Sequence, residues 1–463
     1  MNNTICFTNY AKYSIIKIYN LLKNMRKILL FFNLILSTIE EKKVKLVYEH
    51  FRHGARFPES NLNSEKKDLF NVYHEFKGEL TEVGTRMHYV EGYEIRIKYL
   101  NLFNSTNIFA QSTNSDRTIQ SLNAHLLGMY TPNLKNLTEE QIKKAYPPNK
   151  FNEKDIKDKI NEEIKKLELR PLPYNLQLIP VHILNPWDLK YSSTFCPHMK
   201  DLWNDNHKKN IKMLDNIVQE TNSKYDKYFK HFFKDENFYF LNFDSLINYC
   251  DHYISDYLFN ISIFDDLYKD GLNISEFYDH CQKISEFEIF NIYFANEKYL
   301  IYGNTPLVKD IIHFFNNKDK INSPKYKILS GHDSSIGSLQ AYFKYVFKNE
   351  IKKLIYPEIA TIMIIELYEK NNKEYIEYKV NNEILMNIEY EHFNDLINKN
   401  LISEEDLKKF CFKNKNTVLF ILFLFFLVTI IVLIIYLLKI YQEYKQIKGN
   451  KIEKQFQKIA VES

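Results

Sequence analysis

Residues 44–58 read VKLVYEHFRHGARFP, and this stretch decides the fold and the chemistry that the rest of the chain supports. Its first five residues are apolar apart from one lysine, which predicts a buried β-strand. The strand runs into a polar loop that places Arg52 and Arg56 on either side of His53. Guanidinium groups donate paired hydrogen bonds to phosphate oxygens, and an imidazole between them can attack phosphorus. We expect Gly54 to supply unusual backbone angles and close approach.

Two later stretches repeat the order of a short apolar strand followed by polar residues. Residues 107–110 predict a strand that enters a polar loop, and residues 326–330 predict another that leads into His332 and Asp333. Open α/β folds bind ligands at the edge of the sheet where the carboxyl ends of the strands meet. We therefore expect a second imidazole and a carboxyl group to join the first loop at that edge.

The remaining pattern predicts an α/β fold in which a core sandwich carries a smaller, mostly helical insertion. Thr81 has the position and chemistry of a helix N-cap. The insertion lacks convincing strands over most of its length, and we expect it to cover the site. The predicted elements are a turn at 78–84 with a helix running past residue 99, a helix at 119–129, the insertion 131–300, strands at 360–367 and 375–380, and a return segment at 381–412.

The charge distribution argues against binding to nucleic acid. The 463 residues carry a formal net charge of +4, yet residues 1–38 hold five basic and no acidic side chains, and residues 439–463 hold six lysines and three glutamates. The middle of the chain is therefore mildly acidic, and it offers no basic surface for a phosphodiester backbone. A chain of this length is long enough for an enzyme with one large domain or two joined ones.

Both ends of the chain carry membrane signals. Residues 417–438 form an uncharged apolar run as long as the roughly 20 residues that cross a bilayer. The positive-inside rule places the lysine-rich tail, 439–463, in the cytosol, so the body, 39–412, lies in a lumen or outside the cell. Residues 1–38 are interpreted as a leader because a charged Met25-Arg26-Lys27 precedes a short apolar run. Met25 as the real start and an uncleaved anchor both remain open.

A lumenal or extracellular body agrees with two further features. N-glycosylation sequons occur at Asn104, Asn136, Asn260 and Asn273. Four cysteines lie outside the leader, and they allow three pairings between which the sequence does not choose. The four are Cys196, Cys250, Cys281 and Cys411. Their spacing does not suggest a zinc site.

The first and last polar loops together provide what phosphate monoester hydrolysis requires. His53 is the candidate nucleophile, and Asp333 is the candidate proton donor to the leaving oxygen. Arg52, Arg56 and His332 are the candidate ligands of the nonbridging oxygens. The alternative is structural, with His53 a satisfied loop histidine and Asp333 a helix cap. The arginine-bracketed motif argues against that alternative more strongly than the Gly-His-Asp motif does.

The runs RHGARFP, GELTEVGTRMHYVEG and GHDSSIG resemble the histidine acid phosphatase family, branch 2 of the histidine phosphatase superfamily. The resemblance covers roughly residues 44–412. It implies an α/β domain of the phosphoglycerate mutase type with a smaller helical domain, a phosphohistidine at His53, proton donation by Asp333, and no metal or cofactor. It also implies that Arg52, Arg56 and His332 hold the phosphate of a monoester substrate.

One departure from the family pattern lies in the predicted polar loop 111–118. The family usually has a phosphate-binding arginine where this chain has Gln111, which can donate hydrogen bonds but carries no charge. A catalytically weakened protein that binds phosphate ligands at a membrane surface is therefore the alternative function, and a scaffold or adhesion protein is a third. The resemblance pairs Cys196 with Cys411 and leaves Cys281 as a candidate partner of Cys250. The substrate and the oligomeric state stay open, with a homodimer among the options.

Overall fold

The computed structural model describes residues 42–59, 76–99, 102, 107–130, 134–145, 154–184, 196–233, 235, 237–259, 264–412 and 415–461. The predicted leader and the sequons at Asn104 and Asn260 lie outside the described residues. The chain divides into two compact units, one formed by residues 1–191 and 206–401 and the other by residues 192–205 and 402–463.

A seven-stranded mixed sheet forms the centre of the first unit. Its strands are β1 (Lys43–Arg52), β2 (Ile108–Ser112), β3 (Val181–Ile183), β4 (Tyr326–Gly331), β5 (Ile362–Lys370), β6 (Lys373–Val380) and β7 (Glu383–Glu389). Their spatial order is β3-β2-β4-β1-β5-β6-β7. The first four of these run parallel, and the last three continue the sheet antiparallel. The sheet and the helices around it confirm the predicted α/β fold.

The described helices fall mostly between the strands, as an α/β fold requires. They are α1 (Glu82–Tyr99), α2 (Asp116–Met129), α3 (Glu139–Lys144), α4 (Lys154–Leu167), α5 (Pro197–Phe233), α6 (Phe243–Phe259), α7 (Asp265–Lys269), α8 (Ile274–Phe287), α9 (Glu297–Asn316), α10 (Asp333–Val346), α11 (Tyr390–Asn400), α12 (Glu404–Phe412) and α13 (Lys415–Val461). Helix α1 begins where predicted, since the amide of Gly84 donates to the Thr81 hydroxyl at 3.1 Å.

Strand β1 contributes to an apolar core on each face of the sheet because its side chains alternate. Leu46 and Tyr48 belong to the core formed with α9, α10 and α11. Val47 and Phe51 belong to the opposite core, which α1 and α2 cover. Each such fully buried side chain contributes about 1.5–3 kcal/mol. The central strand is thereby fixed from both sides, and so is the loop that leaves its carboxyl end.

Helices α1 and α2 approach each other closely at two glycines. A Cβ atom on Gly92 would lie 2.0 Å from the carbonyl oxygen of His125, and one on Gly128 would lie 2.1 Å from that of Tyr89. Any larger residue at either position would force the two helices apart. The two glycines therefore keep α1 and α2 in close contact, so that neighbouring side chains of the two helices meet.

A buried network of opposite charges joins the antiparallel part of the sheet. The Lys42 ammonium lies 2.6 Å from Glu366 and 2.7 Å from Glu377, and Lys379 donates to Glu366 at 2.6 Å. The Tyr99 hydroxyl also donates to Glu366. Burial alone would raise the pKa of Glu366, but the hydrogen bonds from Lys379, Lys42 and Tyr99 outweigh it and lower the pKa to about 2.

The structure differs from the sequence-based boundaries at β1, at the turn before β7 and at β2. Strand β1 continues from the predicted 44–48 through Arg52, so Arg52 ends the strand and does not lie in the loop that follows. The return segment 381–412 opens with strand β7, which we did not predict. Asn381 and Asn382 both adopt positive φ, 49° and 66°, and asparagine pairs of this kind form the tight turn of a β-hairpin. In the third place, Gln111 and Ser112 continue strand β2 instead of opening the predicted polar loop.

The described part of the predicted insertion is mostly helical, as expected. A π-helical turn, Glu288–Tyr293, follows α8 directly, and the short strand β3 adds to the edge of the main sheet. A disulfide between Cys250 and Cys281 joins α6 to α8. This bridge agrees with the pairing for which Cys281 was the candidate partner.

The second unit contains the other disulfide, between Cys196 and Cys411, as the family resemblance implied. It also contains α12 and the long helix α13. Within the described residues, the stretch Phe420–Gly449 is the one helical segment that is long and apolar enough to cross a membrane. This assessment rests on its length and composition alone. A C-terminal apolar helix was predicted, and the structure confirms that it is helical.

Candidate active site

The carboxyl ends of three parallel strands lie side by side and carry the predicted site. Arg52 at the end of β1 pairs with Gly331 at the end of β4, and Ser112 at the end of β2 pairs with Ser330 of β4. The amide of His53 donates to the Gly331 carbonyl at 3.0 Å. These main-chain contacts bring the first and last polar loops together from opposite ends of the chain, as the sequence predicted.

The His53 imidazole is buried and held in one tautomer. Its Nδ1 lies 2.9 Å from the carbonyl oxygen of Gly54. A carbonyl can only accept a hydrogen bond, so Nδ1 carries the proton and Nε2 keeps a free electron pair. Burial lowers the pKa of His53 well below its usual value, and the positive charges of Arg52 and Arg56 lower it further. The ring therefore stays neutral at acidic pH, as the predicted role of nucleophile requires.

Gly54 is required for close approach and not for unusual backbone angles. A Cβ atom there would lie 2.5 Å from the carbonyl oxygen of Gly84, at the start of α1. Gly54 is not among the described residues with positive φ, so the expectation of unusual angles was wrong. Its amide donates to the Ser121 hydroxyl at 3.1 Å, and the Thr81 hydroxyl donates to the Ala55 carbonyl at 2.9 Å. The loop is thus pressed against the N-terminus of α1 and tied to α2.

Arg52 and Arg56 each bind a carboxylate and point their charges toward His53. Arg52 is buried, donates to the Pro357 carbonyl at 2.8 Å, and lies 2.7 Å from the Asp333 carboxylate. Arg56 forms a two-point contact with Asp251 of α6, at 3.0 and 3.2 Å. Fixed guanidinium groups of this kind bind a tetrahedral oxyanion with little loss of side-chain freedom.

His332 lies beside His53 and is oriented by two polar partners. The two ring centroids are 5.6 Å apart. The Arg117 guanidinium lies 3.4 Å from Nδ1, and the Thr113 hydroxyl lies 3.1 Å from Nε2. A guanidinium only donates, so Nδ1 of His332 accepts and Nε2 carries the proton. Burial and the charge of Arg117 lower the pKa of His332 to about 4 in the ligand-free site.

Asp333 is the first residue of α10 and faces the same cluster. Its carboxylate accepts a hydrogen bond from the Ser334 amide at 2.6 Å in addition to the contact with Arg52. Burial works to raise the pKa of Asp333, but the charges of Arg52 and His332 outweigh it and hold the pKa below its usual value. These charges therefore favour the ionised form of the carboxyl group.

Gln111 occupies a different position from the other predicted residues. Its main chain pairs with Leu329 of β4 and His182 of β3, inside the sheet. Within the described residues, its half-buried side chain makes no hydrogen bond to the cluster around His53. A phosphate contact by Gln111 stays a prediction.

Sequence reasoning did not single out four residues that complete the surroundings of the site. Asp251 and Glu59 pair with arginines, Thr113 bonds to His332, and Glu288 lies in the π-helical turn near Asp333. Burial, with the nearby charges of Asp333 and two other aspartates, raises the pKa of Glu288 to about 8. Asp251 is 195 positions from Arg56, and no local pattern signals such a pair. Thr113 could have been found, because it follows a predicted strand.

Arg117 is the third guanidinium of the cluster. It forms an ion pair with Glu59 and lies against His332, and its charge contributes to the lowered pKa of His53. The sequence motif contained this residue without giving it a role in the site. Three arginines and a second histidine thus surround one neutral imidazole, an arrangement suited to a dianionic tetrahedral ligand.

A scan against protein-family models matches residues 43–381 to the histidine phosphatase superfamily, branch 2. The chain is 34% identical over 97 residues to the lysosomal acid phosphatase of Xenopus laevis, covering 20% of this chain and 22% of the relative. It is 26% identical over 191 residues to the prostatic acid phosphatase of Bos taurus, covering 34% of this chain and 48% of the relative. The matches thus span less than half the length of either relative.

Solved structures show the same fold at low sequence identity. The phytase of Citrobacter braakii superposes with a TM-score of 0.53 at 10% identity, covering 78% of this chain and 98% of that chain. The phytase of Hafnia alvei in complex with tartrate gives a TM-score of 0.51, also at 10% identity, covering 78% of this chain and 98% of that chain. At this identity the likeness concerns the fold alone.

Proposed function

The chain belongs to branch 2 of the histidine phosphatase superfamily, and on that premise we propose that it is an acid phosphatase that hydrolyses phosphate monoesters through a phosphohistidine at His53. One observation carries the proposal. A buried imidazole, whose Nδ1 is held by the Gly54 carbonyl, is kept neutral by burial and by the nearby charges of Arg52, Arg56 and Arg117, which lower its pKa. Such a site attracts a dianion and attacks its central atom.

In the first half of the reaction, Nε2 of His53 attacks phosphorus, a P–N bond forms, and the bond to the leaving oxygen breaks. Arg52 and Arg56 neutralise the nonbridging oxygens as the charge redistributes. His332 can turn its Nε2–H from the Thr113 hydroxyl to a phosphate oxygen and donate a further hydrogen bond there. The hydrogen bond between His53 Nδ1 and Gly54 keeps the attacking nitrogen aimed at the substrate and stabilises the positive charge that the ring acquires.

Asp333 supplies the proton for the leaving oxygen. Arg52 keeps its carboxyl group ionised in the free site, but a bound phosphate dianion takes over much of that positive charge and adds a negative one nearby. Both effects raise the pKa of Asp333, so acidic solution loads it with the required proton. In the second half, water attacks the phosphohistidine, Asp333 accepts a proton from the water, and the P–N bond breaks to release inorganic phosphate.

The alternative is a weakened protein that binds phosphate ligands without rapid turnover, as Gln111 suggested. The described cluster favours hydrolysis, because three arginines already face His53 without any contribution from position 111. An uncharged residue at one corner lowers the affinity for phosphate but leaves the nucleophile and the proton donor in place. Phosphate binding without turnover is then an outcome of the test below.

The proposed enzyme is a single-pass type I membrane protein whose body lies in an acidic lumen or at the cell surface. Its proposed regions are the leader 1–38, the body 39–412 with its insertion 131–300, the span 417–438 and the cytosolic tail 439–463. The apolar stretch of α13 and the two disulfides support this orientation. Glycosylation of the described sequons Asn136 and Asn273 belongs to the same proposal.

The test is hydrolysis of an aryl phosphate by the full chain in detergent between pH 4 and 7. Wild-type protein should release phosphate with highest activity at acidic pH, and His53→Ala should abolish it. Brief incubation with labelled substrate, followed by alkaline quenching, should trap a labelled protein in the wild type alone, because phosphohistidine survives alkali. His392→Ala, a change of an exposed histidine, is the matched control and should retain activity.

Three results would contradict the proposal in different ways. Equal phosphate release by wild type and His53→Ala would assign the activity to a contaminant. Binding of inorganic phosphate without turnover would support the weakened, ligand-binding alternative. Turnover without a trapped, His53-dependent phosphoprotein would replace the covalent mechanism by direct attack of water.

A further inference from the structure

A cluster of side chains that could hold a metal ion lies outside the site around His53, between α1, α2 and the sheet. His88 and Glu91 of α1 and His125 of α2 each offer one ligand atom, and these atoms lie within 4.8 Å of one another. Both histidines are fully buried, and Glu91 is 20% exposed. Positions three residues apart on a helix share a face, so His88 and Glu91 point toward α2 together.

The close contact of the two helices brings His125 to this pair. Gly92, next to Glu91, lies directly against the carbonyl group of His125. A side chain at position 92 would separate the helices and remove His125 from reach. The cluster is therefore set by backbone packing, and it does not depend on flexible surface side chains that meet by chance.

Two polar atoms in the cluster are buried without a hydrogen bond. They are Nε2 of His88 and Nδ1 of His125, for which the described residues provide no partner. The other nitrogen of each ring approaches a carboxylate, since His88 Nδ1 lies 2.9 Å from Glu91 Oε2 and His125 Nε2 lies 3.1 Å from Glu49 Oε1. Burying polar nitrogens without a partner is unfavourable, so the fold gains stability from a ligand that binds both at once.

A fourth residue provides the outer support that metal-binding histidines commonly have. Glu49 of β1 is fully buried, and its Oε1 lies 3.1 Å from Nε2 of His125. The Tyr326 hydroxyl fixes Glu49 from the other side with a hydrogen bond of 2.7 Å. A carboxylate on one imidazole nitrogen leaves the other nitrogen available to a metal and orients the ring.

We propose that His88, Glu91 and His125 bind a zinc ion that stabilises the fold, with water as the fourth ligand and Glu49 orienting His125. Two imidazoles and one carboxylate are a donor set that zinc prefers over magnesium or calcium. Ligands of one tetrahedral zinc ion lie roughly 3.4 Å apart, so small side-chain rotations bring the three atoms into range. The partly exposed Glu91 gives the ion a route of entry.

The proposed zinc site is separate from the proposed phosphate site, and Phe51 of β1 links the two. The Phe51 ring lies between the two histidines and the sheet, with centroids 4.7 Å from His88 and 4.8 Å from His125. Phe51 directly precedes Arg52 and His53 in the chain. Bound zinc would tie α1 and α2 together against β1 and hold this end of the strand firmly. The inference does not rest on the proposed function, because its readouts are metal content and stability.

The experiment measures zinc on the full chain in detergent after removal of metals with a chelator. We expect one tightly bound zinc per chain on readdition, measured by mass spectrometry of the desalted protein, and a rise of a few degrees in the melting temperature. Calcium and magnesium should give neither. Glu91→Gln and His125→Asn should each weaken zinc binding at least tenfold and remove the thermal shift.

The matched control is His392→Asn, which removes an exposed histidine that lies 3.8 Å from a glutamate. It should bind zinc as the wild type does. No stoichiometric zinc on the wild type, or equal zinc on the wild type and both cluster variants, would overturn the proposal. If neither cluster variant folds, competition of the wild type against a chromophoric zinc chelator still decides, since a dissociation constant no tighter than that of surface histidines would reject the site.

Discussion

Two groups of paired charges lie along the same sheet and differ in how far solvent reaches their carboxylates. At the carboxyl edge of the parallel strands, the carboxylates that pair with Arg52 and Arg56 are about 30% exposed, for both Asp333 and Asp251. In the antiparallel part, the carboxylates that pair with lysines are sealed, with Glu366 1% and Glu377 7% exposed. In both places a carboxylate pairs with a basic side chain. The two groups differ in the exposure of the carboxylate to solvent.

The difference shows how an ion pair becomes a binding site. A phosphate that arrives from solvent can compete with Asp251 and Asp333 for the guanidinium groups, because these carboxylates lie at the open side of the cluster. Glu366 is almost fully buried, so we expect its contacts to contribute to stability and not to ligand binding. Changes at the open edge should therefore alter turnover, whereas changes in the sealed network should alter unfolding.

Apart from the loss expected for His53→Ala, the largest effect is expected from Asp333→Asn, which removes the proposed proton donor but keeps the side-chain shape. The turnover number for an alkyl phosphate should fall about 10³-fold, since general acid catalysis supplies roughly 10²–10⁴. A nitrophenyl phosphate, whose leaving group needs no proton, should lose much less. Asp215→Asn, at an exposed position on α5, is the control. An equal loss for both substrates would remove Asp333 from the role of acid.

Arg56→Ala should lower kcat/KM by about 10²-fold, because a charge-assisted contact contributes roughly 1.5–3 kcal/mol. Asp251→Asn should have a smaller effect that appears mainly in KM, since Asp251 positions Arg56 and does not bind phosphate. Steady-state kinetics of the two variants separate these roles. A loss for Asp251→Asn as large as that for Arg56→Ala would show that the carboxylate acts directly on the substrate.

Glu366→Gln should leave kcat/KM unchanged and lower the free energy of unfolding by about 2 kcal/mol at neutral pH. The folded pKa of Glu366, about 2, lies below the ordinary value of 4.5, so its contribution is present above pH 4.5 and is lost as the pH falls toward 2. Denaturant unfolding of both proteins between pH 7 and 2 measures it. The stability gap should close at the acid end, and a gap that stays constant would contradict the assignment.

Gln111→Arg should have the smallest effect, a rise in kcat/KM of at most about tenfold at low ionic strength. Three arginines already face His53, so a fourth cation adds less than the first. Gln111→Lys controls for charge without the planar fork. A much larger gain would mean that the native site is impaired, whereas a fall in activity would show that the strand end is built around glutamine.

The sequence predicted which residues meet at the site because they are adjacent in the chain. Arg52, His53 and Arg56 lie at the end of β1 and just after it, and His332 and Asp333 lie at the start of α10, so each motif was visible locally. Their meeting followed from the rule that parallel strands present their carboxyl ends at one edge. The N-cap at Thr81 was equally local and proved correct.

What depended on distant contacts was harder to predict. The pairing of Asp251 with Arg56 is created by the insertion folding back, and the extension of β2 through Gln111 is created by hydrogen bonds to β4. Local sequence signals neither the ion pair of Asp251 with Arg56 nor the continuation of β2 through a polar residue. Strand β7 was missed for a different reason, since its signal, the asparagine pair 381–382, was present in the sequence but was not interpreted as a turn.

The bridge between Cys250 and Cys281 has a consequence for the maturation of the proposed enzyme. Cys250 directly precedes Asp251, so the covalent link between α6 and α8 also fixes the carboxylate that pairs with Arg56. We therefore expect Arg56 to be held in place for its proposed contact with phosphate only after two thiols have been oxidised. A chain still in contact with a reducing cytosol would carry every catalytic residue yet hold Arg56 loosely, and it would gain full activity on reaching an oxidising compartment.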